Sequence, residues 1–497
     1  MIRRLGLALL FLASSVASVV GAGACGAPPG TDGAPSATEA APIECATVSP
    51  ARPCAPHAPK HLAPAAERGA SSAVTIARLG DAEIVLVADE DERALHVFDA
   101  RSMTQAAVVP MDGAPAHVAV LDDGLVAVTL RDAGKVVLLE PGAAPADAFE
   151  VRCAIDVAAE PIAMTEAEGR LLVTSGAGAA LSIVDTAAAT VERAIALPRE
   201  PRAVLYDAGT KTTFVSHAVG GIVSAVDLAG AKAPDRIDLR AGHRMKSLVE
   251  EDERPREASQ GFALASVDMG GGHTRILAPH ASVDPGASRD PDGGGYGGAF
   301  EHRAVAPIVS VVDPVARRSL TRSVAGGLAG RLVQDCLLPR SAVARAGRLW
   351  VACVDLDAVL ELDATISDPS QVELRRIEVP SPGDVALSDD GTRLFAWSQF
   401  TRSLARVDVA GASLARVVAV PWRRSGVSRS ARVERGRALF HASHDARIGP
   451  ARACATCHPD GRDDSLVWTS PDGPRQTPTL AGRLEGTAPY GWFGENA

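Results

Sequence analysis

One constellation in the chain has residue types and spacing that could do chemistry: Cys454-Ala455-Thr456-Cys457-His458. Two thiols three positions apart on one turn can reach the two vinyl groups of a haem. The adjacent histidine then lies under the iron as an axial ligand. This spacing is a c-type haem attachment signature, with Cys454 and Cys457 as thioether points and His458 as the metal ligand. Two other chemistries compete for a Cys-x-x-Cys. A thioredoxin-type redox pair would sit beside a βαβ pattern, which the sequence lacks. A zinc site would need another nearby ligand, and His441 and His444 form no standard knuckle with the two cysteines. The expected cofactor is one covalent haem c.

The distal side of such an iron is less defined. No Met follows Met269 and no His follows His458, so neither can come from the tail. Candidates are His441 and His444, then His243, His273, His280, His302, Met245 and Met269 further upstream. Each is weak, because a single His is more often a packing or surface residue. An open iron favours ligand binding or peroxide chemistry, whereas two strong axial ligands favour electron transfer.

The elements that must position this motif begin near residue 70, where short apolar runs alternate with Asp, Gly and Pro in the manner of strands. Seven runs end in an acidic residue: Asp99, Glu140, Asp185, Asp227, Asp313, Asp363 and Asp408. Their intervals are 41, 45, 42, 86, 50 and 45 residues. A period in the low forties with four strands per unit is that of a β-propeller blade, and seven marks imply seven blades. Residues 117–121, 125–130, 135–140 and 149–156 read as the four strands of blade 2. Asp122-Asp123-Gly124 and Asp389-Asp390-Gly391 read as hairpin turns. The seven acidic residues are expected to cap turns rather than to form a metal ring. The 86-residue interval implies an insertion at about 241–305, containing Asp284, Asp290 and Asp292 in a Gly-rich run. A solvated hairpin tip is expected there in preference to a Ca²⁺ loop, because the ligand spacing is irregular. After Trp422 the strand pattern stops, and residues 428–441 have helical spacing, with Val433, Ala438, Leu439 and Phe440 able to cluster on one side. The expected fold class is mainly β: a seven-bladed β-propeller (71–420) with a small, mostly helical cytochrome c-type domain (421–497).

The repeat, with strands ending in Val-Asp, resembles YVTN-type, lactonase-like propellers over roughly residues 70–420. The stretch RGRALFHASHDARIGPARACATCHPDGRDDSLVW, followed by GPRQTPTLAGRLEGTAPYGWFGENA, resembles the haem domains of the di-haem cytochrome c peroxidase family. That family includes the enzyme that matures tryptophan-derived quinone cofactors. The resemblance implies Cys454 and Cys457 as attachment points and His458 as proximal ligand, with Arg462, Trp468, Tyr490 and Trp492 near the haem. Family members carry two haems. This chain has one CxxCH with 39 residues after His458, so an incomplete haem domain is expected. The propeller itself shows no Ser/His/Asp order and no HExxH. Only Trp350 and Trp397 fall within its blades, so it lacks the repeated Trp docking pattern of quinone-cofactor propellers.

The ends and the composition set the compartment. Arg3 and Arg4, apolar Leu5 to Val20, and small residues 21–24 read as a secretory signal over 1–25, too short for a stable membrane span. Cys25 follows at once, so lipidation there and ordinary cleavage are both expected outcomes. Either places the protein in the periplasm or at the outer-membrane surface. Residues 26–70, rich in Ala, Pro, Gly and Ser, read as an extended tether. In an oxidising compartment, Cys45 and Cys54 could close a small loop and Cys336 and Cys353 could staple neighbouring strands, while Cys153 has no obvious partner. A formal charge of −10 and a pI near 5.7 argue against nucleic acid, which draws on clustered Lys and Arg. The expected function is an exported c-type haem protein that exchanges electrons with a periplasmic redox partner protein. The alternatives are a peroxidase-type oxidoreductase and a propeller binding protein with a vestigial haem fragment.

Overall fold

The structure is a computed structural model. It describes residues 62–64 and 70–488, interrupted at 241–255 apart from two short strands, at 287–303, 322–335, 423–428 and 446–451, and at single or paired positions elsewhere. Seven antiparallel sheets of four or five strands follow one another in chain order, making a seven-bladed β-propeller. Blade 1 contains Leu62–Pro64, Val74–Leu79, Ala82–Asp89, Ala94–Asp99 and Gln105–Pro110. Blades 2, 3 and 4 begin at Pro115, Pro161 and Pro201, and blades 6 and 7 at Pro339 and Asp384. Blade 5 contains Glu257–Ser259, Ala265–Asp268, Thr274–Val283, Val305–Asp313 and Arg318–Ser319. The 241–305 stretch expected as an insertion thus holds strands of blade 5 itself, including a long hairpin. Asp290 and Asp292 lie outside the described residues.

All seven acidic marks end the third main strand of their blades. Four of the carboxylates cap the turns that follow: Asp99 accepts from the Ser102 amide, Asp185 from the amides of Ala187 and Ala188, Asp313 from those of Val315 and Ala316, and Asp363 from that of Thr365. Glu140, Asp227 and Asp408 pair with Arg152, Arg317 and Arg406. The four capping aspartates serve the turns because an Asp side chain mimics the backbone acceptor there. Four blades open on a proline at the inner edge, and each is followed by a register shift. A proline fits at the first residue of a strand, where its missing N–H breaks no ladder bond. Buried Val, Leu, Ile and Ala between neighbouring blades form the core. One cluster spans blades 1, 2 and 7 and contains the fully buried Phe98, Phe395 and Trp397.

No strand of blade 7 is shared with blade 1, so other bonds close the ring. Ser72 Oγ donates to the Val385 carbonyl (3.1 Å), and the Ala73 amide donates to Asp384 Oδ1 (2.8 Å). In the same segment the Ala70 carbonyl accepts from the Val204 amide of blade 4, and Ser71 Oγ donates to the Phe262 carbonyl.

Cys336 and Cys353 form a disulfide with a Cα–Cα distance of 5.4 Å and a sequence separation of 17. It staples the segment entering blade 6 to the end of that blade's second strand. Cys153, for which the sequence offers no obvious partner, is also disulfide-bonded. Cys25, Cys45 and Cys54 lie outside the described residues. Replacing both Cys336 and Cys353 by Ser is expected to cost about 3 kcal/mol, the entropic value for a loop of this size. The check is a lower denaturant midpoint at nearly unchanged slope.

Candidate functional site

The segment after the last blade starts with helix α1 (Ala431–His441), N-capped by Ser430. The expected apolar stripe does not form: no residue of α1 is buried, and Val433 is 52% exposed. The face turned to the propeller is instead Arg437, which pairs with Asp91, and Phe440 and His441. His441 packs against Phe400 with ring centroids 4.6 Å apart and the rings tilted by 53°. Arg429 also pairs with Asp91, so a buried carboxylate of blade 1, rather than an apolar surface, anchors the helix.

Cys454–Cys457 make a single helical turn, α2, tied by the Thr456 amide to the Ala453 carbonyl and by the Ala453 amide to Thr456 Oγ1. Pro459 starts a 3₁₀ turn, Pro459–Gly461, in which Asp460 and Gly461 both have left-handed φ, +51° and +73°. Glycine meets that requirement freely, whereas an aspartate adopts it only with support. The reversal returns the Arg462 carbonyl to His458, whose Nδ1 lies 3.1 Å from it. A carbonyl can only accept, so Nδ1 carries the proton and Nε2 presents a lone pair. Among the described residues the His458 ring makes no other hydrogen bond.

This donor set fits a covalently attached haem. Both thiols are unpaired and share one turn. The following imidazole is held in the tautomer that offers Nε2 by a bond from its other nitrogen, the arrangement that orients metal-bound histidines. The same geometry disfavours a reactive dithiol. Burial pushes the Cys457 thiol up to about 12, reinforced by the Asp464 carboxylate, and burial also raises Cys454. A redox-active Cys-x-x-Cys needs the opposite shift.

Of the other residues expected near the haem, Trp468 is buried beside Cys457. It shares a cluster with Leu466 and with Ala281, Val283, Ala304 and Val305 of the long blade 5 hairpin region. Its Nε1–H donates to Asp464 Oδ2 (2.9 Å). Arg462 contributes its carbonyl to His458, while its guanidinium turns to the propeller. Tyr490 and Trp492 lie outside the described residues, as do His243 and His302. Met245 is described only as part of a two-residue strand.

The remaining distal candidates occupy distinct places. His273 is exposed in a glycine turn of blade 5, and Met269 packs beside the core between blades 5 and 6. His280 is buried with Nδ1 on the Ala278 carbonyl, and His444 Nδ1 lies on the Asp355 carbonyl. His441 Nδ1 lies 2.9 Å from the Arg437 carbonyl. Burial, with the charges of Arg340 and Arg437, pulls its pKa down to about 4, so the ring is neutral in ordinary buffers. Its neighbours Phe400 and Phe440 pack in one cluster with Ala453 and Ala455 of the attachment loop.

Sequence reasoning missed the residues beneath the loop. Asp460 Oδ2 accepts from Arg131 Nη2 (3.1 Å) and Arg202 Nη2 (3.0 Å), and Oδ1 from Arg340 Nη1 (3.4 Å). Those arginines belong to blades 2, 4 and 6. Burial alone would raise the Asp460 pKa, but the surrounding guanidiniums hold it far below the usual carboxylate range. Arg462 pairs with Glu160 (2.6 Å) and Glu200 (2.8 Å) at the entries to blades 3 and 4. Gln260 Nε2, fully buried, donates to the carbonyls of Ala455 (2.7 Å) and Thr456 (3.1 Å). The available signal was the recurrence of charge around the blade-opening prolines: Glu160-Pro161, Glu200-Pro201-Arg202 and Pro339-Arg340.

A second cluster could in principle hold a metal: Asp89, Glu92 and His96, all buried. Arg402 already occupies it, pairing with both carboxylates. His96 Nε2 donates to Asp89, since its Nδ1 accepts from Gln105 Nε2. This is a structural ion pair.

No protein-family model matches the chain, and no curated protein matches its sequence. Solved structures match over the propeller. Hydrazine synthase of Kuenenia stuttgartiensis is similar at 15% identity and a TM-score of 0.48, covering 66% of this chain and 92% of that one. A functionally unknown protein from Desulfotomaculum acetoxidans is similar at 11% and 0.46, covering 68% and 95%. The dihydro-heme d1 dehydrogenase NirN, solved in complex with DHE, is similar at 14% and 0.38, covering 67% and 72%. These likenesses concern the fold.

Proposed function

We propose that the protein is an exported c-type haem protein, in which Cys454 and Cys457 hold one haem covalently and His458 ligates its iron. The observation that carries this reading is the attachment loop itself. Two unpaired thiols share one helical turn, and the next imidazole gives its Nδ1 proton to the Arg462 carbonyl, which leaves Nε2 for a metal. Bound there, the haem supplies one-electron exchange at iron. The chain's residues fix the proximal ligand, bury one edge of the loop against Trp468 and Leu466, and limit water on that side. Electron transfer with a periplasmic redox partner protein is the main function, in the periplasm or at the outer-membrane surface, with lipid on Cys25 as an anchor. A peroxidase-type oxidoreductase of the di-haem cytochrome c peroxidase kind is the alternative.

The test is a haemochrome absorbance spectrum of the denatured full chain, exported in a host with cytochrome c maturation machinery. About one covalent haem per chain is expected. Peroxide and carbon monoxide titrations of the native protein then separate the two activities. Fast reaction with both favours the peroxidase reading, and inertness favours electron transfer. A spectrum without covalent haem would leave the propeller as the working part.

A further inference from the structure

The contacts beneath the attachment loop come from most of the ring. Arg131 follows the second strand of blade 2, Glu160 opens blade 3, Glu200 and Arg202 open blade 4, Gln260 lies in blade 5's inner segment, and Arg340 opens blade 6. Arg202 is 2% exposed, and Arg340 lies with its Cζ 3.9 Å from the Phe262 ring centre, so neither guanidinium swings freely. Three carboxylates of the cluster stand in left-handed backbone: Glu160 at φ +61°, Glu200 at +55° and Asp460 at +51°. Residues other than glycine hold that conformation only where their surroundings compensate for it. Here the compensation is shared across the loop and the blades, since each carboxylate bonds a guanidinium that another of the three also bonds. An independent haem module would need no such partners.

We propose that the charged rim formed by the blade entries is a built socket for the attachment loop. In it Arg131, Arg202, Arg340, Glu160 and Glu200 act as positioning residues for His458, through Asp460 and Arg462. The inference rests on the haem reading for the role of His458 and on the contacts alone for the docking of the loop. Two routes reach the imidazole. The arginines fix Asp460, two residues beyond His458, and the glutamates fix Arg462, whose carbonyl receives the His458 proton. The propeller is therefore half of the site.

The test uses the full chain with two substitutions of opposite charge effect, Asp460→Asn and Arg131→Gln, and Arg131→Lys as the conservative control. In haem-free protein, hydrogen exchange of residues 453–462 is expected to quicken at least tenfold in Asp460→Asn and Arg131→Gln. The inner strands should stay protected, and Arg131→Lys should restore most of the protection. In haem-loaded protein the midpoint potential should rise in Asp460→Asn, which removes a negative charge near the iron, and fall in Arg131→Gln, which removes a positive one. Loosening of the loop alone would move both in the same direction. Unchanged exchange in both variants would overturn the socket, and shifts of like sign would overturn the positioning role. Should the wild-type chain take up no haem, the haem reading and the positioning role fail together, while the exchange arm still upholds or overturns the docking.

Discussion

Replacing Cys454 and Cys457 together by serine is expected to bring covalent haem from about one per chain to none, with the propeller's circular dichroism unchanged. On the proposed reading the thioether bonds form through these two cysteines, the free thiols among the described residues, since Cys336, Cys353 and Cys153 are disulfide-bonded. The two positions should differ when changed singly. Cys457 packs against the Leu466–Trp468 cluster, so Cys457→Ser places a hydroxyl in an apolar setting at a cost of roughly 1–3 kcal/mol. Cys454 is less enclosed, and Cys454→Ser should cost little stability while halving the number of thioether bonds. His458→Ala keeps both thiols, so it should retain covalent haem on denaturing gels but lose the native ferric spectrum. Retention of that spectrum would rule out His458 as the ligand. An unchanged haemochrome in the double serine variant would end the attachment reading.

The propeller was legible because its signals are local and repeated. A Val-Asp strand end such as Asp185 or Asp313 needs only its own turn, which both cap by the same bonds. Strand boundaries in blade 2 came within about two residues for the same reason, since hairpin strands pair with sequence neighbours. The Cys336–Cys353 bridge was legible from its short separation inside one blade. The amphipathic face of α1 was misjudged because spacing reports where apolar groups could gather, while Arg429 and Arg437 found a buried carboxylate 338 and 346 residues away. The socket was invisible for a related reason. Asp460 meets arginines 120 to 329 residues distant, and one sequence gives no means of pairing charges so far apart. Its only trace is charge beside the blade-opening prolines, a pattern that also suits exposed turns.

The largest stability effect is expected at the seam between blades 1 and 7, where Arg402→Ala should cost about 3–5 kcal/mol. Arg402 is 6% exposed and joins two carboxylates of blade 1, Asp89 at 0% and Glu92 at 1%. Its Nε–H also donates to the Val420 carbonyl, and its guanidinium lies 3.9 Å from the Trp422 ring centre. Taking away the cation strands two buried charges where the ring closes without a shared strand. Acid should have a parallel effect. Burial alone would raise the Asp89 pKa, but the hydrogen bond from His96 and the charge of Arg402 hold it down to about 2. A carboxyl depressed in the folded state stabilises it above its unfolded pKa near 4, and that contribution, about 2 kcal/mol, is lost as pH falls from about 4 to about 2. Urea titrations across that window should show the loss in wild type and a smaller one in Arg402→Ala, whose Asp89 keeps the His96 hydrogen bond but loses the charge of Arg402. Neutralising the whole set, as Asp89→Asn with Glu92→Gln and Arg402→Met, should recover much of the stability at neutral pH, because a buried ion pair replaced outright costs far less than one broken. If the triple variant is no more stable than Arg402→Ala, the seam depends on the hydrogen bond of Arg402 to the Val420 carbonyl rather than on its charge.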